Sequence, residues 1–134
     1  MQGVMVDSSV WVSYFRGGKE SDSVADAVDY LLAGDEVVVD EIILTELIPF
    51  MRIRGEAEAE NALLALTNPP LEIDWSQLRQ WQELCLRNGV NKVGIPDLII
   101  AQHAKNMDVP LFSLDCHFPL IAPICGLKLW PVNT

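Results

Sequence analysis

Four short apolar runs, at residues 4–6, 37–39, 71–73 and 111–114, each lead into an aspartate, and segments of helical periodicity separate them. Short Val, Ile and Leu strands without strict polar alternation belong to a sheet buried on both faces. Helices between successive strands make those strands parallel. The expected fold is therefore α/β: a single three-layer α/β/α domain over residues 1–134, around a mostly parallel sheet of four or five strands. In such a sheet all strand C-termini share one edge, where open α/β folds bind their ligands. Asp7, Asp40, Asp74 and Asp115 are the four candidates for that edge.

The helices follow from caps, breakers and spacing. Ser8 and Ser9 open a helix through Val10, Trp11, Tyr14 and Phe15 that Gly17 and Gly18 stop. Ser21 or Ser23 starts a second, with Val24, Ala27, Val28, Leu31 and Leu32 on one face until Gly34. Strand 36–39 precedes a helix over 41–54 closed by Gly55, then a helix over 56–66 that Asn68, Pro69 and Pro70 end. After strand 71–73, Ser76 is placed to cap a helix over 77–87. Pro96 suits the first turn of a helix running to Met107. Strand 111–114 and a short helical turn follow, with a last strand at 127–130.

Half of the residues are hydrophobic and 21% are charged, which excludes a disordered chain. No apolar run approaches the ~20 residues that cross a bilayer. The opening residues lack the basic flank and long apolar stretch of a secretion signal, so a cytoplasmic protein is expected. Cys85, Cys116 and Cys125 are an odd set without Cys-x-x-Cys spacing, expected to be reduced and mostly packed. Nine Lys and Arg against nineteen Asp and Glu give a net charge of −10, so contact with a polyanion must rest on local features.

Two further acids occupy informative faces. Glu46 has Ile42 one turn before it and Phe50 one turn after, at the margin of an apolar face. Asp97 shares a stripe with Ala101 and Ala104, although an aspartate in a first helical turn is also favoured by the helix dipole alone. Aspartates after strands are likewise common caps, so only their convergence is informative. Several carboxylates in one place raise each other's pKa unless a cation joins them. All-oxygen ligands suit Mg²⁺ or Mn²⁺, and a site of that kind fits phosphoester hydrolysis. No Gly-x-Gly-x-x-Gly, Walker loop, Gly-x-Ser-x-Gly or His-Glu-x-x-His is present, which removes dehydrogenase, NTPase, serine-hydrolase and zincin readings. Asp115, Cys116 and His117 are neighbours in a run read as extended, where side chains diverge and cannot form a relay. His103 reads as a surface or packing residue. Trp11, Trp75, Trp81 and Trp130 are too dispersed to stack bases.

In order and surroundings these acids resemble the PIN domain, and within it the single-domain VapC toxins of toxin–antitoxin pairs. Val6-Asp7-Ser8-Ser9-Val10-Trp11-Val12 is similar to the family's opening segment, and Leu44-Thr45-Glu46-Leu47 to its second acid motif. Ile95-Pro96-Asp97-Leu98-Ile99-Ile100-Ala101 is similar to the third, and the stretch from Leu111 through Ser113, Asp115 and His117 to Phe118 to the fourth. The resemblance implies that Asp7, Glu46, Asp97 and Asp115 hold one or two Mg²⁺ or Mn²⁺ ions and activate water for RNA cleavage. It makes Ser9, Ser113 and His117 supporting residues and leaves Asp40 and Asp74 structural. It also implies a homodimer, for which the helices bearing Trp11, Tyr30 and Phe50 are candidates, and a VapB-like antitoxin with a basic tail. Arg16, Lys19, Arg52, Arg54 and Lys92 are the candidates to meet RNA phosphates. The competing readings are an inert PIN scaffold that only binds a partner and a receiver-type signalling domain phosphorylated on Asp74.

Overall fold

The computed structural model describes residues 3–17 and 22–131. Strand β1 (Val4–Val6) leads into helix α1 (Ser8–Arg16), and α2 (Asp22–Ala33) returns the chain to β2 (Val37–Val38). Four helices follow: α3 (Glu41–Arg54), α4 (Ala57–Leu64), α5 (Trp75–Arg87) and α6 (Ile95–Asn106). Strand β3 (Leu111–Phe112) and helix α7 (His117–Cys125) complete the order. The strands are parallel in the order β2-β1-β3, with Val4 opposite Val37 and Met5 opposite Leu111. Every residue of the three strands is buried. Because successive side chains in a strand point to opposite faces, both faces of the sheet are covered. Helices α1 to α4 pack together, α5 to α7 pack together, and the two groups meet where α3 touches α6.

Among the described residues the sheet has three strands rather than the four or five expected. Residues 71–73 add no strand because the edge beside β2 is taken earlier, by a single bridge between Val38 and Thr67 in which the Val39 N–H donates to the Thr67 carbonyl at 2.9 Å. Pro69 and Pro70 follow directly and have no N–H with which to extend the ladder. At the other edge, residues 127–130 contribute one bridge, Leu129 to Leu111, and Pro131 ends it. Two intended strands are thus one-residue bridges flanking a short sheet.

Helix boundaries fall close to the expected ones. Gly55 and Gly126 close α3 and α7 in left-handed conformation, at φ of 71° each, where a side chain would be strained. Helix α3 runs through Pro49, which has no N–H to donate to the Thr45 carbonyl. The cap of α5 is Asp74 rather than Ser76: its Oδ1 accepts the Gln77 N–H at 3.1 Å. Of the two residues expected to start α2, Ser21 lies outside the described residues and Ser23 lies inside the helix. Trp11 is buried, with its Nε1 donating to the Val6 carbonyl at 3.1 Å, so it ties α1 to β1 and is unavailable to a dimer surface. Tyr30 and Phe50 are 70% and 67% exposed and remain available. Among the described residues no helix is long and apolar enough to cross a membrane.

Candidate functional site

The four aspartates expected at strand ends have three different fates. Asp40 is fully buried and caps α3: its Oδ1 accepts the Ile43 N–H at 2.9 Å, while Oδ2 faces Nδ1 of the buried His103 at 3.1 Å. Asp74 caps α5. The Asp7 carboxylate makes no cap bond, although Asp7 stands at the N-cap of α1. Its backbone N–H donates to the Phe112 carbonyl at 2.9 Å, which places it where β1 and β3 end side by side. A charge this buried needs hydrogen-bond donors. Ser9 Oγ and Ser113 Oγ supply them, each donating to Asp7 Oδ2 at 2.8 Å.

The same two hydroxyls bind the end of β3. Ser9 Oγ accepts the Leu114 N–H at 3.0 Å, and Ser113 Oγ accepts the Asp115 N–H at 3.0 Å. The start of α1 and the loop after β3 are therefore one hydrogen-bonded unit with Asp7 at its centre. Asp115 Oδ1 accepts the His117 N–H at 2.9 Å, a turn that launches α7. The His117 ring then stands between two carboxylates, with Nδ1 3.4 Å from Asp115 Oδ1 and 3.5 Å from Asp97 Oδ2. Asp97 reaches this point from the first turn of α6, after Pro96.

Glu46 approaches from α3. Ser8 Oγ donates to its Oε1 at 3.3 Å, a partner that the sequence reading missed although Ser8 lies beside Asp7. Burial raises the pKa of Glu46 above the ordinary glutamate range, the charge of Asp7 adds to the effect, and the Ser8 hydrogen bond opposes it. Asp97 is raised as well, first by burial and then by the charge of Asp115, while His117 pulls the other way. Glu46 thus feels the charges of Asp7 and Asp97, and Asp97 those of Asp115 and Asp7, while among the described residues the group whose ligand atoms all lie within 4.8 Å of one another is Asp115, Cys116 and His117. Among the described residues, the ion pairs made by Lys and Arg are Arg52 with Glu60, Arg87 with Glu83 and Lys128 with Asp108, so none neutralises the cluster. A hard divalent cation fits this donor set: all-oxygen, negatively charged and without a protein cation of its own.

The basic residues are spread out. Arg16 and Arg54 flank a groove of about 440 Å³ between α1 and α3, walled by Val12, Phe15, Leu47 and Phe50. The Nε and a terminal nitrogen of Arg52 both donate to Glu60, at 3.1 and 2.9 Å. Lys92 is exposed in the loop before α6, and Lys19 lies outside the described residues.

Two buried polar residues lie outside the set the sequence picked out. His103, read as a surface or packing residue, takes the packing place, buried and paired with Asp40. Gln102 clamps the chain before α5, accepting the Asp74 N–H at 3.1 Å and donating to the Asp74 carbonyl at 3.0 Å. Both lie in the otherwise apolar run of α6, where a polar residue on a buried face is the available signal.

Asp7 alone is held by both hydroxyls, so Ser9→Ala and Ser113→Ala are each expected to weaken divalent-metal affinity roughly 10–100-fold while the protein stays folded. Titration of Mn²⁺ by calorimetry, with circular dichroism as the folding control, measures the effect.

The family model described as the PIN domain matches residues 4–122. Among curated proteins none matches the chain by sequence. Among solved structures, the chain is similar to DNA-bound VapBC from Salmonella typhimurium, with a TM-score of 0.73 and 19% identity over 96% of this chain and 97% of that one. It is also similar to VapBC2 from Rickettsia felis bound to a promoter DNA fragment, with a TM-score of 0.71 and 18% identity over 94% and 96%. FitAcB from Neisseria gonorrhoeae gives a TM-score of 0.65 and 15% identity over 94% and 95%. At these identities the structures establish a shared fold. Asp74 follows no strand and serves as a helix cap, which leaves the receiver-type reading without a phosphoacceptor at a sheet edge. With the parallel sheet and the family model spanning nearly its whole length, the chain belongs to the PIN domain family.

Proposed function

We propose that the protein is a metal-dependent endoribonuclease, the toxin of a VapBC-type pair, in which Asp7, Glu46, Asp97 and Asp115 hold Mg²⁺ or Mn²⁺, as one ion or two. The observation that carries this reading is the uncompensated cluster of these acids, drawn from the ends of β1 and β3 and from α3 and α6. When bound, the cation would supply positive charge that lowers the pKa of a water and offsets the charge of the phosphodiester. Ser9 and Ser113 keep Asp7 in one orientation, so little rearrangement opposes metal or substrate binding. His117, between Asp97 and Asp115, limits how these two carboxylates turn. Glu46, raised in pKa, is the group we assign to take the proton of the attacking water at its carboxylate.

Substrate positioning rests on a small set of cations. Arg16, Arg54 and Lys92 are assigned to RNA phosphates; Arg52, held by Glu60, is a weaker candidate, and Lys19 completes the proposed set. The acidity that repels a polyanion elsewhere attracts a basic peptide. VapBC assemblies among the structures of the same fold support an antitoxin partner for this chain. An Arg or Lys of its tail would pair with the carboxylates and exclude the metal. Exposed Tyr30 and Phe50 are the side chains we assign to a homodimer contact. A toxin acting on cellular RNA would work in the cytoplasm.

The test is cleavage of a mixed set of structured and unstructured RNAs by protein freed of bound partner, with Mn²⁺, with Mg²⁺ and with chelator. Cleavage only with metal supports the enzyme. A correctly folded protein that neither binds Mn²⁺ nor cuts any RNA would instead be a partner-binding scaffold.

A further inference from the structure

The turn that launches α7 brings a second kind of metal ligand to the edge of the carboxylate cluster. Ligand atoms of Asp115, Cys116 and His117 all lie within 4.8 Å of one another. The divergence expected of neighbours in an extended run does not occur, because Cys116 adopts helical backbone angles (φ −68°, ψ −12°) and the three side chains crowd one turn. Cys116 is exposed, whereas Cys85 and Cys125 are buried, so it is the thiol that solvent ions can reach. Burial also pushes the Cys125 thiol up to about 12 and raises Cys85, making both poor thiolates.

The spacing suits a small tetrahedral ion. Zinc bonds of about 2.0–2.3 Å hold neighbouring ligands about 3.3–3.7 Å apart. His117 Nδ1 already stands 3.4 Å from Asp115 Oδ1 and 3.5 Å from Asp97 Oδ2. Both distances are long for a charge-assisted hydrogen bond, which prefers about 2.7–2.9 Å. They match two edges of a tetrahedron; Cys116, whose ligand atom lies within 4.8 Å of those of Asp115 and His117, needs to close by about 1 Å to make two more, and Asp97, outside that group, must turn towards the other two ligands. Carboxylate oxygens alone favour Mg²⁺ or Mn²⁺, but a thiolate and an imidazole turn the preference towards zinc.

We propose that Asp115, Cys116 and His117, with Asp97 as fourth ligand, form a Zn²⁺ site distinct in ligand chemistry from the all-oxygen site and sharing two of its carboxylates. On binding, the Cys116 sulfur loses its proton to solvent and forms the Zn–S bond, and His117 binds through unprotonated Nδ1. Zinc then removes Asp97 and Asp115 from the Mg²⁺ or Mn²⁺ site and inhibits cleavage. That consequence rests on the nuclease reading; zinc binding itself does not.

The test uses the full chain stripped of metal, with Co²⁺ as a spectroscopic probe and Zn²⁺ affinity measured by competition with a chromogenic chelator. Co²⁺ is expected to give a near-ultraviolet thiolate charge-transfer band that Zn²⁺ quenches. Cys116→Ser should abolish the band, weaken Zn²⁺ at least tenfold and leave Mn²⁺-dependent cleavage unchanged but resistant to zinc. Asp7→Asn should keep the band. A missing band, or a band and Zn²⁺ affinity that survive Cys116→Ser, overturns the site whether or not the protein cuts RNA. A Cys116-dependent band in a protein without nuclease activity upholds the site and counts against the nuclease reading alone.

Discussion

Asp7→Asn and Asp97→Asn are each expected to reduce RNA cleavage by more than about 100-fold, beyond the 10–100-fold that a residue merely orienting a ligand typically costs. The substitution keeps the shape of each side chain and removes one charge. At Asp7 the amide carbonyl of the variant can still accept from Ser9 and Ser113, so the link between α1 and β3 persists while the cluster becomes a poorer cation site. At Asp97 the effect on stability runs the other way from the effect on activity. The folded-state pKa of Asp97 lies above its ordinary value, chiefly through burial and the Asp115 charge, so the folded protein binds that proton more tightly than the unfolded chain. The resulting stability is present below the ordinary aspartate pKa and is lost as pH rises through the folded value. At neutral pH the ionised wild type therefore carries a penalty that Asp97→Asn removes. Without metal, the variant should melt higher than wild type; with saturating Mn²⁺, which favours whichever protein binds it, wild type should gain more. Thermal melts with chelator and with Mn²⁺ measure both halves.

Asp40→Ala is expected to destabilise the protein by about 3–5 kcal/mol, a large part of the 5–15 kcal/mol that typical domains possess. Two buried groups lose their partner together: the Ile43 N–H at the start of α3, and His103 Nδ1. Among the described residues His103 Nε2 has no hydrogen-bond partner, so the ring has no second bond there to fall back on. Loss of the helix cap alone costs about 1 kcal/mol, and the remainder is the cost of an unpaired buried imidazole and the space left behind. Asp40→Asn, which keeps a cap acceptor, should lose clearly less. Urea unfolding at fixed pH reads the difference as a shift in midpoint. Because α3 carries Glu46, activity should fall with the folded fraction in Asp40→Ala and should return when the folded state is restored by lower temperature or bound metal.

The alternation of strands and helices was legible because short Val, Ile and Leu runs, Pro96 and Gly55 act locally. The width of the sheet was not, because an edge strand depends on which backbone groups remain free to pair. Thr67 took the pairing expected of residues 71–73, and two prolines prevented its extension. The four acids stand out as a set by their order along the chain, and their shared role belongs to the proposed function. What each aspartate does was legible only in part: Asp7, Asp40 and Asp74 were all expected to follow strands, and the difference lies in whether a backbone N–H three residues on captures the carboxylate. Asp40 and Asp74 are captured; Asp7 turns instead to hydroxyls from two separate elements. The pairing of Asp40 with His103 spans 63 residues and leaves no local sign beyond a histidine in an apolar helix. The close approach of Asp115, Cys116 and His117 was missed because a run read as extended is in fact a turn.

The most direct test of the central claim is cleavage of one defined RNA by the partner-free protein, with Mn²⁺ and with chelator, alongside Asp7→Asn, with the chemistry of the new ends determined. The account predicts Mn²⁺-dependent cuts that Asp7→Asn abolishes, and ends without a 2′,3′-cyclic phosphate, because water rather than the neighbouring 2′-hydroxyl attacks the phosphorus. Cleavage that persists in chelator, survives Asp7→Asn or leaves cyclic phosphate ends would contradict it.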